Sequence, residues 1–158
     1  TLLKASYLLP DTVLVAIVGG EDSQIQELKT SYPQVIFLGR RPYSEIRDNQ
    51  AAADMLILPN TAKDETSVTF TSPLKLFSYM ASKRPIVASD LPAIREVVDE
   101  KSVVFSKPDD AQDLARAIEY LASNIQAGAA VADRAYTTVL GYTWGARAHR
   151  ILSYISNK

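Results

Sequence analysis

The sequence predicts an α/β fold in which a parallel sheet carries helices on both faces. Short apolar runs rich in β-branched residues alternate with segments of helical period, and each run ends at glycine, proline or polar residues. Strands buried on both faces of a parallel sheet read as continuous apolar runs, and strands that alternate with helices are typical of this class. The 158 residues correspond to one domain, residues 1–158.

Five strands are predicted, over residues 13–18, 35–39, 55–58, 86–88 and 103–105. Helices are predicted between them, over residues 23–32, 43–53, 73–82 and 92–98. A polar loop precedes the third of these helices, and from Asp109 the pattern is helical to the end, with a break near Gly141.

The start of the chain is unusual for this class. Residues 1–9 have the pattern of the second half of a helix, and no strand precedes them. In a doubly wound sheet the strand before the first helix is the central one. We therefore expect an N-terminally truncated sheet that lacks its first strand, with an empty central slot or a changed strand order. A neighbouring chain or a rearranged pairing would fill that slot, and self-association is one such outcome.

Composition excludes several classes. The net charge of −1 gives no basis for nucleic-acid binding. The chain has no cysteine, which fits a reducing compartment, and its single histidine, His149, excludes a His-rich metal site. No apolar run is long enough to span a bilayer, and no signal peptide is visible. Because the first residue is threonine, we expect that a targeting segment or a further domain has been left out.

One helix start has the chemistry of an anion site. Ser72 can cap a helix whose first residue is Pro73, which leaves the N–H groups of Leu74 and Lys75 free to meet a phosphate. The Lys75 ammonium would add charge; the alternative is an ordinary capped helix with a solvated lysine. Neither a Gly-rich nucleotide loop nor a hydrolase triad is present, and the Gly19-Gly20 pair is equally explained as a tight turn.

A resemblance that covers most of the chain favours a function for this helix start. The residues that carry it are Val15–Gly20, Val35–Gly39, Ala51–Pro59, Ser72–Lys75, Tyr79–Ala81 and Pro85–Ser89, with Leu91-Pro92, Glu96 and Tyr142–Trp144. In this order they resemble the C-terminal, donor-binding domain of GT-B glycosyltransferases of family 4, also called group 1. The resemblance runs from Leu2 to Ile155.

The resemblance implies a Rossmann-like domain that binds a nucleotide-diphosphate-sugar and works in retaining sugar transfer. A separate N-terminal domain, missing here, would bind the glycan or lipid-linked acceptor. Residues Thr71, Ser72, Pro73, Leu74 and Lys75 would hold the diphosphate. Arg40 and Arg41 would border the nucleobase, or else be exposed loop charges, and Gly19 would let the chain approach the donor. No metal and no cofactor is expected.

The sequence departs from the family pattern at two acidic positions. The family's second glutamate, which accepts hydrogen bonds from the ribose hydroxyls, falls at Ser78, and its first falls at Phe70. Serine is short and uncharged, so we expect weaker donor binding. Glu65, just upstream of Phe70, is the nearby carboxylate expected to reach the sugar and is a weak catalytic candidate. Lys83-Arg84 replaces a small residue before the fourth strand and is expected to be a solvated turn.

These departures limit the function that the sequence predicts. The parent protein is expected to be a glycosyltransferase of polysaccharide biosynthesis, cytoplasmic, and peripheral to a membrane through the missing domain. These 158 residues are expected to be inactive alone. The alternative is an inactive nucleotide-sugar-binding or scaffold domain. An epimerase would show a Gly-rich turn and a receiver module would show clustered aspartates, and the sequence has neither.

The final helix, from Thr143 to Ile155, is expected to pack either on the missing domain or on its own sheet.

Overall fold

A computed structural model describes residues 1–70 and 74–156 of the chain. The described part contains five strands: β1 (Val15–Val18), β2 (Val35–Gly39), β3 (Leu56–Leu58), β4 (Ile86–Ser89) and β5 (Val104–Ser106). Every pairing among them is parallel. The predicted class, α/β with parallel strands flanked by helices, is confirmed.

Eight α-helices connect or follow these strands in the described residues. They are α1 (Leu2–Ala5), α2 (Asp22–Ser31), α3 (Ile46–Ala52), α4 (Leu74–Ala81), α5 (Pro92–Arg95), α6 (Ala111–Ser123), α7 (Ile125–Val139) and α8 (Trp144–Ser156). A 3₁₀ turn, Tyr43–Glu45, precedes α3, and another, Leu140–Tyr142, precedes α8. The predicted break near Gly141 is therefore confirmed.

The helix predictions need three corrections. The first helix covers only Leu2–Ala5 rather than residues 1–9. The segment expected to be helical from Asp109 contains a second break at Asn124, where the backbone leaves the helical region and the Asn124 side chain donates to the Tyr120 carbonyl oxygen. The expected polar loop before α4 contains a π-helix, Thr66–Phe70. A π-helix is rare, and such turns are frequently found at functional sites.

The strands form two separate sheets. β1 pairs with β2 in one sheet, and the other has the order β3-β4-β5. Among the described residues no strand bridges β1 and β3. The described strands thus do not form one unbroken sheet, as the sequence predicted.

The larger sheet carries most of the core. All four residues of β4 are buried, since α4, α5 and α6 cover the two faces of the sheet. Leu76 and Met80 of α4 are fully buried on one face, and Leu114 and Ile118 of α6 lie on the other. The start of α4 is therefore fixed to the sheet by its own apolar residues.

The smaller sheet is more open. α2 covers one face through the buried Ile25. On the opposite face the side chains of Val18, Ile36 and Leu38 are between 37% and 45% exposed. One side of this two-stranded sheet is thus apolar and uncovered by the described residues.

Two further expectations are corrected by the packing. The Lys83-Arg84 turn is not merely solvated, because the Lys83 ammonium lies 4.2 Å from the centroid of the Tyr136 ring and Arg84 donates to the Ala51 carbonyl oxygen. The final helix, α8, has no buried residue among those described, which contradicts the alternative that it packs on its own sheet. Its Trp144 side chain is 83% exposed. None of the helices in the described part of the chain is long and apolar enough to cross a membrane.

Candidate functional site

The candidate site lies at the carboxyl edge of the sheets. Because the strands within each sheet run in the same direction, the loops that follow them lie at the carboxyl edge of that sheet. The loops after β1 and β2 are joined there by a hydrogen bond of 2.8 Å from the Gly19 N–H to the Gly39 carbonyl oxygen. Gly19 has a φ of +107°, which side chains disfavour, and open space where a Cβ would stand. This backbone is bare enough for a ligand to approach it closely.

Both arginines that the sequence pointed to lie beside this pair of glycines. Arg40 follows β2 and forms an ion pair with Glu21, which follows β1. Arg41 lies 4.0 Å from the Glu45 carboxylate. All four side chains are well exposed, so these pairs orient the two loops and add little stability.

A second set of contacts fixes the loop after β3. The Ser89 hydroxyl donates to the Asn60 carbonyl oxygen at 2.7 Å. The Asp109 carboxylate accepts hydrogen bonds from the Ala62 N–H at 2.9 Å and from the Thr61 hydroxyl at 3.0 Å. These two bonds, the backbone one first, hold the pKa of Asp109 below its usual range. The loop that leads to the π-helix is thereby anchored to two neighbouring strand ends.

The loop after β4 carries a charged cluster. Arg95 binds the carboxylates of Asp90 and Glu100, and its guanidinium lies 4.3 Å from the centroid of the Phe105 ring. Donation from Arg95 is the main cause that lowers the pKa of both carboxyl groups. Because two carboxylates and an aromatic ring already contact the Arg95 guanidinium, we assign this side chain the role of holding the loop after β4 in its conformation.

The start of α4 faces the same edge, because the helix connects the end of β3 to the beginning of β4. Leu74 and Lys75 are exposed, and Lys75 has no ion pair among residues 1–70 and 74–156. Thr71, Ser72 and Pro73 lie outside the described residues. Glu65 is exposed just before the π-helix. A cation without an ion pair among the described residues therefore lies in the first described turn of α4.

Ser78 lies one turn further along α4, and α3 packs against it. Its hydroxyl oxygen is 2.7 Å from Nε2 of Gln50 and 3.0 Å from Oε1 of the same side chain. Both residues are half-buried. The position that resembles the family's ribose-binding carboxylate is thus engaged by an amide of the same chain.

Comparison with known proteins decides the family. The family model described as "Glycosyl transferases group 1" matches residues 1–124, which is more than half of the chain. The chain belongs to the group 1 glycosyltransferases. The resemblance found from the sequence is thereby confirmed, although a search of curated proteins finds no match to this group 1 domain.

Solved structures show the same fold. Anabaena HepE in complex with UDP is similar over 99% of this chain, with a TM-score of 0.80 and 20% identity. HepE in complex with UDP-glucose has a TM-score of 0.73, and sucrose-phosphate synthase from Thermosynechococcus elongatus has one of 0.74 at 19% identity. This group 1 chain spans 44% of HepE and 42% of the synthase. The likeness shows that it has the fold of one GT-B domain.

The sequence analysis missed Gln50, Glu21 and Asp109. Glu21 directly follows the Gly19-Gly20 pair, so its place at the strand edge was a signal that could have found it. Gln50 is 28 residues from Ser78, and no local pattern in this group 1 domain links them. Asp109 has a φ of +60°, a conformation that the printed sequence does not reveal.

Proposed function

We propose that residues 1–158 form the donor domain of a retaining glycosyltransferase and bind a nucleotide-diphosphate-sugar. The sugar would pass to a glycan or lipid-linked acceptor held by a separate N-terminal domain. A cytoplasmic location, contact with a membrane through that domain and a role in polysaccharide synthesis belong to the same proposal. No metal is part of it, since the charge on the diphosphate is assigned to protein groups.

The position of the switch point carries the proposal. From β1 the chain proceeds to β2 in one sheet, and from β3 it proceeds to β4 and β5 in the other. In open α/β sheets ligands bind outside the carboxyl ends of the strands at the point where the order reverses. We infer that this point lies between Gly19, after β1, and Pro59, after β3. The open backbone of Gly19 and the start of α4 both belong to it.

The proposed role of each described residue in donor binding follows from its chemistry. The N-terminal end of α4 carries partial positive charge, and the Lys75 ammonium adds a full charge, so together they attract a diphosphate. Gly19 allows the donor to approach the backbone without meeting a side chain. Arg40, held by Glu21, lies at the side of the site where the nucleobase is expected.

A second candidate is supported by one observation. Ser78 offers no carboxylate, and its hydroxyl is already engaged by Gln50. A hydrogen bond to a charged acceptor contributes about 1.5–3 kcal/mol, roughly twice a neutral one. A domain that has lost this acceptor is suited to weak binding, and an inactive scaffold derived from the family is the alternative function.

Titration calorimetry with UDP-sugars and GDP-sugars tests both candidates. We expect the wild-type chain to bind one of these donors and Ser78→Glu to bind it roughly tenfold more tightly. Ser44→Glu, an exposed serine before α3, is the matched control and leaves the affinity unchanged. If neither the wild type nor Ser78→Glu binds any nucleotide-sugar while both remain folded, the proposal is wrong. Binding by Ser78→Glu alone supports the scaffold alternative.

A further inference from the structure

The loop after β3 lies across the carboxyl ends of the two strands beside it. In the larger sheet β4 stands between β3 and β5. The Asn60 carbonyl oxygen accepts a hydrogen bond from Ser89, the last residue of β4. Thr61 and Ala62 donate to the carboxylate of Asp109, which lies in the loop after β5. The loop thus passes from β3 over β4 to the end of β5, a width of about 10 Å that about three extended residues span.

Asp109 is the unusual anchor of this loop. Its backbone has a φ of +60°, and among residues 1–70 and 74–156 Lys83 is the other non-glycine residue with a positive φ. Aspartate adopts this left-handed conformation more readily than most residues, but still at a cost in free energy. Both loop donors meet one oxygen of the side chain, Oδ2, at 3.0 Å from the Thr61 hydroxyl and 2.9 Å from the Ala62 nitrogen. Strain of this kind persists where surrounding contacts fix it, and it is common at functional sites.

The next residue, Asp110, shows what an ordinary structural aspartate does in the same turn. Its carboxylate accepts hydrogen bonds from the N–H groups of Gln112 and Asp113 and so caps α6. The start of α6 is therefore satisfied by Asp110, whereas the bonds of Asp109 go to a loop 47 and 48 residues away. The two adjacent aspartates have different tasks.

The loop that Asp109 holds leads directly into the π-helix before α4. Three residues, 63–65, separate Ala62 from Thr66, where the π-helix begins. Val68 of the π-helix packs against the core cluster that contains Leu76 of α4. Asp109 and the core thus fix the two ends of this segment, and the exposed residues 63–65 between them are placed by these anchors.

We propose that Asp109 is a positioning residue of the donor site, whose carboxylate holds the loop after β3 in the conformation that the donor requires. This inference rests on the proposed function. A donor that meets a loop without this anchor must order it on binding, and the cost of ordering weakens the affinity. Glycine would fit the φ of Asp109 without strain, so the carboxylate is what aspartate adds at this position.

Three substitutions at Asp109 separate its carboxylate from its backbone conformation. Titration calorimetry uses UDP-glucose and GDP-mannose as probes, and urea unfolding measures stability. We expect Asp109→Gly and Asp109→Ala to bind the donor roughly tenfold less tightly than wild type, because both lose the anchor. Asp109→Gly should nevertheless be more stable than Asp109→Ala, because glycine alone relieves the strain. Asp109→Asn keeps an acceptor oxygen and should retain most of the affinity.

Asp110→Ala is the matched control. It loses the cap of α6 and should be less stable than wild type, but it should bind the donor with unchanged affinity. Equal losses of affinity in Asp110→Ala and Asp109→Ala would overturn the proposal, because affinity would then follow stability.

Amide exchange without a donor checks the anchor itself. The Ala62 amide should exchange faster in Asp109→Gly and Asp109→Ala than in wild type, and unchanged exchange would overturn the proposal. Wild-type affinity in Asp109→Gly would overturn this proposal alone and leave the proposed function standing. If the wild-type chain binds neither probe, the proposed function is wrong and the role of Asp109 falls with it.

Discussion

The hydroxyl of Ser78 in α4 and the side-chain amide of Gln50 in α3 lie 2.7 Å apart and join the two helices. Both residues are half-buried, so the bond is partly shielded from water. It connects the segment that follows the smaller sheet to the helix that begins at the candidate site.

This pair predicts an energetic coupling. Ser78→Ala and Gln50→Ala should each lower the free energy of unfolding by about 1 kcal/mol, and the double variant should lose about 1 kcal/mol less than their sum. Urea unfolding of the four proteins measures the coupling. Ser44→Ala, an exposed serine without a hydrogen bond among the described residues, is the control. Additive losses would show that the two side chains do not interact in solution.

At position 83 we expect glycine to give a more stable protein than alanine, the reverse of their usual order of stability. The Lys83 φ of +56° lies in the left-handed region, which costs a residue with a side chain about 1–2 kcal/mol. Lys83→Ala keeps that strain and loses the contact with Tyr136, whereas Lys83→Gly loses the contact but removes the strain. We therefore expect Lys83→Gly to be more stable than Lys83→Ala by about 1 kcal/mol in urea unfolding.

The matched comparison for Lys83 is Lys29, in the last turn of α2, where alanine is expected to be more stable than glycine. Equal stability of the two Lys83 variants would contradict the left-handed conformation at that turn.

Arg95 predicts how stability depends on pH. It lowers the pKa of Asp90 and of Glu100 in the folded chain, so the ionised carboxylates stabilise the fold above their unfolded pKa values, near 4. That stabilisation is lost as the pH falls through the lowered, folded values. Arg95→Gln should therefore be less stable than the wild type at pH 7, and the difference should shrink as the pH falls towards 2, where the contact of Arg95 with Phe105 is what remains.

Thermal unfolding followed by circular dichroism between pH 7 and 2 measures the effect of Arg95→Gln. Lys29→Gln removes an exposed charge that has no ion pair in the described structure and serves as the control. A constant difference between Arg95→Gln and wild type over this pH range would show that the carboxylates do not depend on Arg95.

Removing the charge of Lys75 is expected to weaken donor binding and to leave the stability of the fold unchanged. Its side chain is exposed, so Lys75→Gln should leave the unfolding midpoint unchanged. If it faces a diphosphate, its loss should weaken binding of a UDP-sugar or GDP-sugar roughly tenfold at low salt, and by less at high salt. Titration at two ionic strengths measures this. Lys101→Gln, in the loop that leads into β5, should behave like wild type, and equal losses for both variants would point to a nonspecific charge effect.

The sequence predicted the strands well for a physical reason. Residues 35–39 were predicted and match β2 completely, and the other four strands were found within one or two residues. Buried parallel strands need continuous apolar runs, and such runs are visible in the sequence. The break at Asn124 and the π-helix Thr66–Phe70 were missed because each depends on one or a few backbone angles, which apolar periodicity does not encode.

Only part of the candidate site could be predicted from the sequence, for a similar reason. Gly19, Arg40 and Lys75 could be placed at the carboxyl edge because they directly follow or begin a predicted element. The partners of these residues come from distant positions, such as Gln50 for Ser78 and Asp109 for the loop at Thr61. Pairings of this kind are set by how helices and loops pack on the sheet, and one sequence contains no pattern for them.

Trp144 at the start of α8 is 83% exposed, and it is the only tryptophan in the chain. The tryptophan fluorescence of this domain therefore comes from one solvent-exposed indole. Any polypeptide or surface that covers α8 will shift that emission to shorter wavelength without a label. The domain carries its own optical reporter on the helix that its sheet leaves uncovered.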